Sequence, residues 1–184
     1  MSAAAEILAY LDALGIAYRE AAHPPAATMA DCAATDAKLG CLTPKNIFLT
    51  TKNGKRFYLC LTRPEARFHT ADISKQAGAS RLSFAPEDAL LAVLRARPGS
   101  ASPLGLMFES ARDVTLLVDA ALRDAPSLGF HPCDNTRTLV LARADFFGRF
   151  LPAVDRTPVF VEIHDFISSN GAEAPLISHG STQP

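Results

Sequence analysis

Three short stretches of the 184-residue chain place polar or conformationally special residues beside apolar runs. The first is Thr43-Pro44-Lys45-Asn46, where Lys45 precedes a strongly apolar strand candidate. A lysine there can anchor an anionic ligand as a point charge, or serve as a solvated strand-edge side chain. The second is Gly99-Ser100-Ala101-Ser102-Pro103. A glycine and a proline four residues apart can fix a loop whose N–H groups converge on a carbonyl or phosphate oxygen; the same residues also serve as plain turn punctuation. The third is Phe130-His131-Pro132-Cys133-Asp134-Asn135-Thr136, between two strand candidates. It presents polar groups at a junction, or is a turn in which Asp134 and Asn135 bond to their own backbone.

Missing patterns exclude other chemistries. Neither GxGxxG nor GxxxxGK[ST] occurs, so a dinucleotide or NTP site is not supported. HExxH is absent, and His23, His69, His131, His164 and His179 lack metal-ligand spacing. Cys32, Cys41, Cys60 and Cys133 form no CxxC pair, so neither structural zinc nor disulfides are expected, only small buried or half-buried thiols. His131 and Cys133, two apart on an extended segment, could share a face, but no general-base arrangement accompanies the thiol. No GxSxG elbow surrounds Ser100 or Ser102.

The elements that must carry these stretches follow from periodicity. Ala3–Leu14 has apolar residues at helical spacing and stops at Gly15. A short strand is expected over Ile16–Ala22, ended by His23-Pro24-Pro25, and a second helix from a Thr28 cap to about Lys38, closed by Gly40. Asn46–Thr51 and Arg56–Leu61 read as a hairpin around Asn53-Gly54, which suits a two-residue turn. Asp72 is expected to cap a short helix to Ala77, and Ser83–Arg95 to form another. Further strands are expected over Leu106–Phe108, Val114–Asp119, Leu128–His131, Arg137–Leu141 and Pro158–Ile163, with a helix over Asp145–Leu151. Helices and strands mix without strict βαβ alternation, which gives an α+β class with a mixed sheet.

The length fits one domain of the usual ~100–200 residues. With 48% hydrophobic and 20% charged residues, global disorder is not expected. No window approaches the ~20 apolar residues of a membrane span. The N-terminal segment carries Glu6 and Asp12 with no basic flank, so it reads as an amphipathic helix of a cytoplasmic protein rather than a secretory signal. Charge is unevenly spread: Met1–Ala37 carries net −4, Lys38–Arg97 net +7 and Pro98–Pro184 net −4. A basic middle in a faintly acidic chain suggests a face for a polyanion, with Arg63 and Arg67 beside His69 as its best members; the plainer reading scatters these charges over solvated faces.

Taken in order, Lys45-Asn46 entering a strand, Gly99-x-x-x-Pro103, and His131-Pro132-x-x-Asn135-x-Thr136 resemble the YbaK/prolyl-tRNA-synthetase-associated editing domain family. The resemblance is closest to its free-standing prolyl-tRNA editing members. Arg81–Phe84 and Leu104-Gly105-Leu106 support it, and it covers about Ala3 to Ile163. It implies an editing domain over residues 1–165; the tail over 166–184 lies outside the resemblance and, with little apolar content from Ser168 on, reads as disordered. It also implies a mixed, strongly curved sheet flanked by helices. The implied activity is deacylation in trans of alanyl-tRNA(Pro), an ester hydrolysis without metal, other cofactor or covalent intermediate. The partners would be the acceptor end of aminoacyl-tRNA and, transiently, prolyl-tRNA synthetase. Lys45 and Asn46 match the family's lysine and its neighbour, Gly99 to Pro103 (with Ser100, Ala101 and Ser102) the loop that cradles the aminoacyl group, and His131 and Asn135 the motif beside the pocket. Cys133 and Asp134 occupy variable places and inherit no role. Two rival readings keep this fold: a deacylase for cysteinyl- or seryl-tRNA, and a nucleic-acid-binding module without catalysis.

Overall fold

The run Phe57–Thr62 is apolar on both pleat faces, and so is Leu116–Val118. A strand of that kind must be covered on both sides, and the computed structural model, which describes residues 1–25, 37 and 39–163, shows how. Strands β2 (Lys45–Thr51), β3 (Phe57–Thr62) and β5 (Thr115–Asp119) lie inside a five-stranded sheet. Its order is β4-β2-β3-β5-β8, with β4 (Leu82–Phe84) and β8 (Val159–Val161) at the edges. β4, β2 and β3 pair antiparallel, whereas β3, β5 and β8 pair parallel, so the sheet is mixed. A second, antiparallel sheet has the order β1-β7-β6, from β1 (Tyr18–Ala22), β7 (Arg137–Ala142) and β6 (Ser127–Phe130).

The main core lies between the two sheets. Phe48, Leu59, Leu61, Leu116 and Val118 meet Leu128, Phe130, Leu139 and Leu141. Ile7 and Leu11 of α1 (Ala3–Ala13) join them. So do Phe146 and Phe150 from a helical run over residues 143–153, made of a short α-turn (Arg143–Asp145), a π turn (Phe146–Phe150) and a second short α-turn (Leu151–Ala153). The opposite face of the large sheet buries Leu49, Tyr58, Cys60, Leu117 and Val161 against Ile73 of α2 (Thr70–Gln76). Each fully buried leucine or phenylalanine contributes about 1.5–3 kcal/mol of transfer free energy.

Several boundaries differ from the sequence expectation. Ser83–Arg95 is not one helix: Leu82–Phe84 pairs with β2, Pro86 forces its predecessor extended, and the helix α3 runs only from Glu87 to Leu94. Leu106–Phe108 is no strand; Pro103 fixes φ, the Ser102 hydroxyl accepts from the Leu104 N–H, and a 3-10 helix follows over Pro103–Met107. Asp72 sits inside the first turn of α2, whose N-cap is His69. The hairpin has a four-residue loop, not two: Thr51 N–H bonds to Arg56 O, and only Gly54 takes a positive φ, 67°. Asn53 Oδ1 accepts from the Thr51 hydroxyl at 2.7 Å and the Lys55 N–H at 3.1 Å, which holds the longer loop. The helix expected over Thr28–Lys38, Cys32, and the tail over 166–184 lie outside the described residues, as do His164 and His179.

Candidate functional site

Segment 41–44 crosses the small sheet where β6 carries Gly129. Gly129 N–H donates to Leu42 O at 2.9 Å, and Leu42 bridges Leu128 in parallel. A Cβ on Gly129 would stand 2.5 Å from Thr43 Oγ1 and 3.1 Å from Cys41 Sγ, closer than real side chains tolerate, so glycine is what permits the crossing. The start of β2 is thereby pinned beside the end of β6. The pleat then turns Lys45 and Asn46 to opposite faces. Lys45 shares its face with Ile47, and its Nζ donates to Ala66 O at 3.3 Å. Asn46 shares its face with Phe48, toward the small sheet; its Nδ2 donates to Pro44 O at 3.2 Å. Its Oδ1 is buried and accepts no hydrogen bond among the described residues. An orphaned amide oxygen costs on the order of 1–3 kcal/mol, and a ligand donor would recover it.

The Gly99–Pro103 loop is shaped from within. Gly99 takes φ 81°. Ser100 Oγ accepts from Arg97 N–H and donates to Arg97 O, both at 2.9 Å, and Ser102 Oγ accepts from Leu104 N–H at 3.2 Å. Both hydroxyls therefore hold the backbone in place, and neither is poised as a nucleophile. The backbone N–H groups of Gly99, Ala101 and Ser102 meet no protein acceptor among the described residues, although Ser102 is fully buried. Two residues on, a Cβ at Gly105 would lie 2.8 Å from Leu94 O and 3.2 Å from Cys133 Sγ. That close approach ties this loop to the third stretch.

His131 follows β6 and is 5% exposed. Its Nδ1 lies 2.7 Å from Arg137 O; a carbonyl only accepts, so Nδ1 carries the proton. Thr138 Oγ1 stands 3.5 Å from the same nitrogen and 2.9 Å from His23 Nε2. His23 Nδ1 in turn donates to Pro24 O at 2.8 Å, and the two imidazole centroids are 5.6 Å apart. Asn135 lies half-buried on the same turn. Asp134 Oδ1 accepts from both the Thr136 N–H and hydroxyl, at 3.0 and 2.7 Å, which holds its carboxyl below the usual range. Cys133 adopts φ 56°, and its Sγ donates to Leu94 O at 3.4 Å. Burial pushes its thiol up to about 12, so it is no thiolate nucleophile near neutral pH.

A family model of the aminoacyl-tRNA editing domain matches residues 23–148, a span that holds all three stretches. The chain belongs to the aminoacyl-tRNA editing domain family. It is 30% identical over 145 residues to the prolyl-tRNA editing protein ProX of Acetoanaerobium sticklandii, covering 79% of this chain and 88% of that one. It is also 30% identical to prolyl-tRNA synthetase associated domain-containing protein 1 of Danio rerio, over 85% of each. Among solved structures, a candidate trans-editing enzyme for prolyl tRNA synthetase superposes with a TM-score of 0.67 at 12% identity, over 90% of this chain and 98% of that one. That likeness shows the fold.

This editing domain brings the three stretches together through Gly129 against Thr43 and Gly105 against Cys133, glycine contacts that sequence reading did not single out. It does not bring all expected cations to them. Arg63 is a structural residue: its Nε pairs with buried Asp119 at 2.8 Å and its guanidinium also binds Ile163 O. Arg95 is held by both carboxylate oxygens of Glu6 at 2.8 Å. Lys52, Lys55 and Arg56 stand at the hairpin tip, at the far end of β2 from Lys45, roughly 20 Å away at the rise of a strand. His23 and Thr138 were also missed. Their partners lie more than a hundred residues off, and the only local signal was a histidine before Pro24-Pro25.

Proposed function

We propose that this editing domain hydrolyses mischarged alanyl-tRNA(Pro) in trans. The observation that carries the reading is the N–H of half-buried Ala101, with that of Ser102 beside it, both without a protein acceptor among the described residues, on a loop that its own hydroxyls hold in shape. A water oxygen bonds to the acyl carbon, and the carbonyl oxygen becomes the oxyanion of a tetrahedral intermediate. Preorganised N–H donors on such an oxygen are worth several kcal/mol each, about 2.7–4 for one donor. Collapse breaks the bond to the ribose oxygen of the terminal adenosine, which takes up the proton.

The neighbouring ribose hydroxyl orients the water in this reading, so catalysis rests on positioning. Lys45 has two ammonium protons beyond the one given to Ala66 O, and these hold the terminal phosphate or ribose. The orphaned Asn46 Oδ1 accepts from the substrate. His131 and Asn135 close the other side. The reading uses neither a metal nor an acyl-enzyme, in line with the committed hydroxyls of Ser100 and Ser102 and the buried Cys133 thiol. The relative named prolyl-tRNA editing protein ProX supports tRNA(Pro) as the carrier. The reading also takes the place of action to be the cytoplasm, with prolyl-tRNA synthetase as a transient partner. Among the described residues no helix is long and apolar enough to cross a membrane.

A panel of tRNA(Pro) and cognate tRNAs charged with alanine, serine and cysteine tests the assignment. Alanine release should lead. Faster release of cysteine or serine moves the protein to another substrate, and no release from any leaves only a binding module.

A further inference from the structure

A cavity of about 410 Å³, apart from the three stretches, is lined by Arg123, Asp124, Arg143, Phe147, Pro158 and Phe160. Its cations come from the net-acidic segment Pro98–Pro184, not from the basic middle. Arg63, Arg95, Arg112, Arg137 and Arg149 each pair with a carboxylate. Arg123 and Arg143 pair with none among the described residues, although Asp124 shares the cavity. Instead Arg123 lies over the Phe160 ring, its guanidinium carbon 3.6 Å from the centroid. Phe160 stands 6.0 Å from Phe147, tilted by 35°.

We propose that this cavity is a nucleotide subsite, which seats an unpaired base and its phosphate from the substrate tRNA; it rests on the tRNA-deacylase reading above. Single-stranded RNA is read by stacking bases on aromatic rings and guanidinium planes, with arginine holding the phosphate. Here the stacked Arg123 is already fixed in place, so little side-chain freedom is lost on binding. Arg143 starts the helical run, its backbone N–H bonded to Pro126 O at 3.1 Å, and supplies the second cation of the lining. None of the lining residues belongs to the three stretches, so the nucleotide seated here is a different one from that carrying the ester. Two arginines against one aspartate favour an anionic ligand over a basic or a neutral apolar one.

The test uses full-length protein, uncharged tRNA(Pro) as the binding probe and alanyl-tRNA(Pro) as substrate. The double variant R123Q/R143Q should bind tRNA about five- to twenty-fold more weakly, with a salt dependence shallower by about 1–2 in log–log slope. Its single-turnover rate at saturating protein should stay within twofold of wild type. Phe147→Leu should weaken binding with the salt slope unchanged, the mark of stacking. Unchanged affinity and slope in the double variant would overturn the subsite and leave the cavity to a protein partner. Full recovery in R123K/R143K together with an inert Phe147→Leu would also overturn it, since only a phosphate contact would remain. If wild-type protein binds tRNA through these residues yet releases no amino acid, the deacylase reading fails and the subsite stands.

Discussion

His23 and Thr138, 115 residues apart, are joined by a 2.9 Å hydrogen bond that also fixes the setting of His131. His23 Nδ1 gives its proton to Pro24 O, so its Nε2 accepts, and the Thr138 hydroxyl must donate. The hydroxyl oxygen then faces the protonated Nδ1 of His131 at 3.5 Å. Thr138 is buried, so Thr138→Val leaves His23 Nε2 without its donor. A loss of about 1–3 kcal/mol is expected in denaturant unfolding, with kcat/KM for alanyl-tRNA(Pro) reduced and Thr138→Ser restoring both. A stable, fully active valine variant would show that the relay has no bearing on the site.

Gly129 and Gly148 offer a matched pair. A methyl at Gly129 meets Thr43 Oγ1 at 2.5 Å, whereas one at Gly148 meets nothing within 4 Å. Gly129→Ala should cost about 1–3 kcal/mol by overpacking and, by shifting segment 41–44, lower kcat/KM at least tenfold. Gly148→Ala, in the helical run, should be neutral or stabilise by up to about 1 kcal/mol. Thermal melts and steady-state rates on both variants check the contrast.

Lys45 and Cys133 separate positioning from covalent chemistry. Lys45→Ala should remove most deacylation while the melting temperature changes little, because among the described residues its side chain makes one hydrogen bond, to a carbonyl. Cys133→Ser should keep activity within about threefold. With the thiol at about 12, the thiolate fraction near pH 7.5 is on the order of 10⁻⁵ to 10⁻⁴. A hundredfold loss in the serine variant, with the fold intact, would argue for an acyl-enzyme.

Asp134 makes the loop after β6 acid-sensitive. Hydrogen bonds from Thr136, above all, hold its carboxyl below the usual value. Such a group adds stability above its unfolded pKa, near 3.9, and loses it as pH falls through the lower folded value. Asp134→Asn should therefore destabilise at pH 7 by less than about 1 kcal/mol, since the group is partly exposed and screened. The gap should narrow below about pH 4. Unfolding curves at pH 7, 5 and 3.5 give the measurement; a pH-independent gap would contradict it.

What the sequence made legible is local. Short apolar runs bounded by turn residues located β2, β3, β5, β6 and β7, because strands buried on both faces read as continuous apolar segments. The three stretches were singled out by residue type and spacing, and the structure sets Thr43 against Gly129 and Gly105 against Cys133. Pairing across the sheets was not legible: nothing near Gly129 announces Thr43, and nothing near Arg63 announces Asp119 as its partner. The charge count misled for the same reason, since it sums along the chain while the fold sends Lys52, Lys55 and Arg56 to the far tip of the hairpin. The helix expected over Ser83–Arg95 failed at Pro86, whose effect on Ala85 outweighs the helical spacing that precedes it. The Arg123–Phe160 cavity left no trace in spacing, because its residues come from four separate elements.

The selectivity for alanine over proline on one tRNA tests the account most directly. In the proposed reading the loop around Ala101 faces the aminoacyl group with backbone and small side chains, which would admit a methyl group and resist a pyrrolidine ring at a cost of ~1–3 kcal/mol. The ring also lacks one amine donor that the site could read. Single-turnover hydrolysis of alanyl-tRNA(Pro) and prolyl-tRNA(Pro) should therefore differ by at least roughly tenfold to a hundredfold in favour of alanine, at ~1.4 kcal/mol per decade. Equal rates, or faster release of proline, would contradict the assignment.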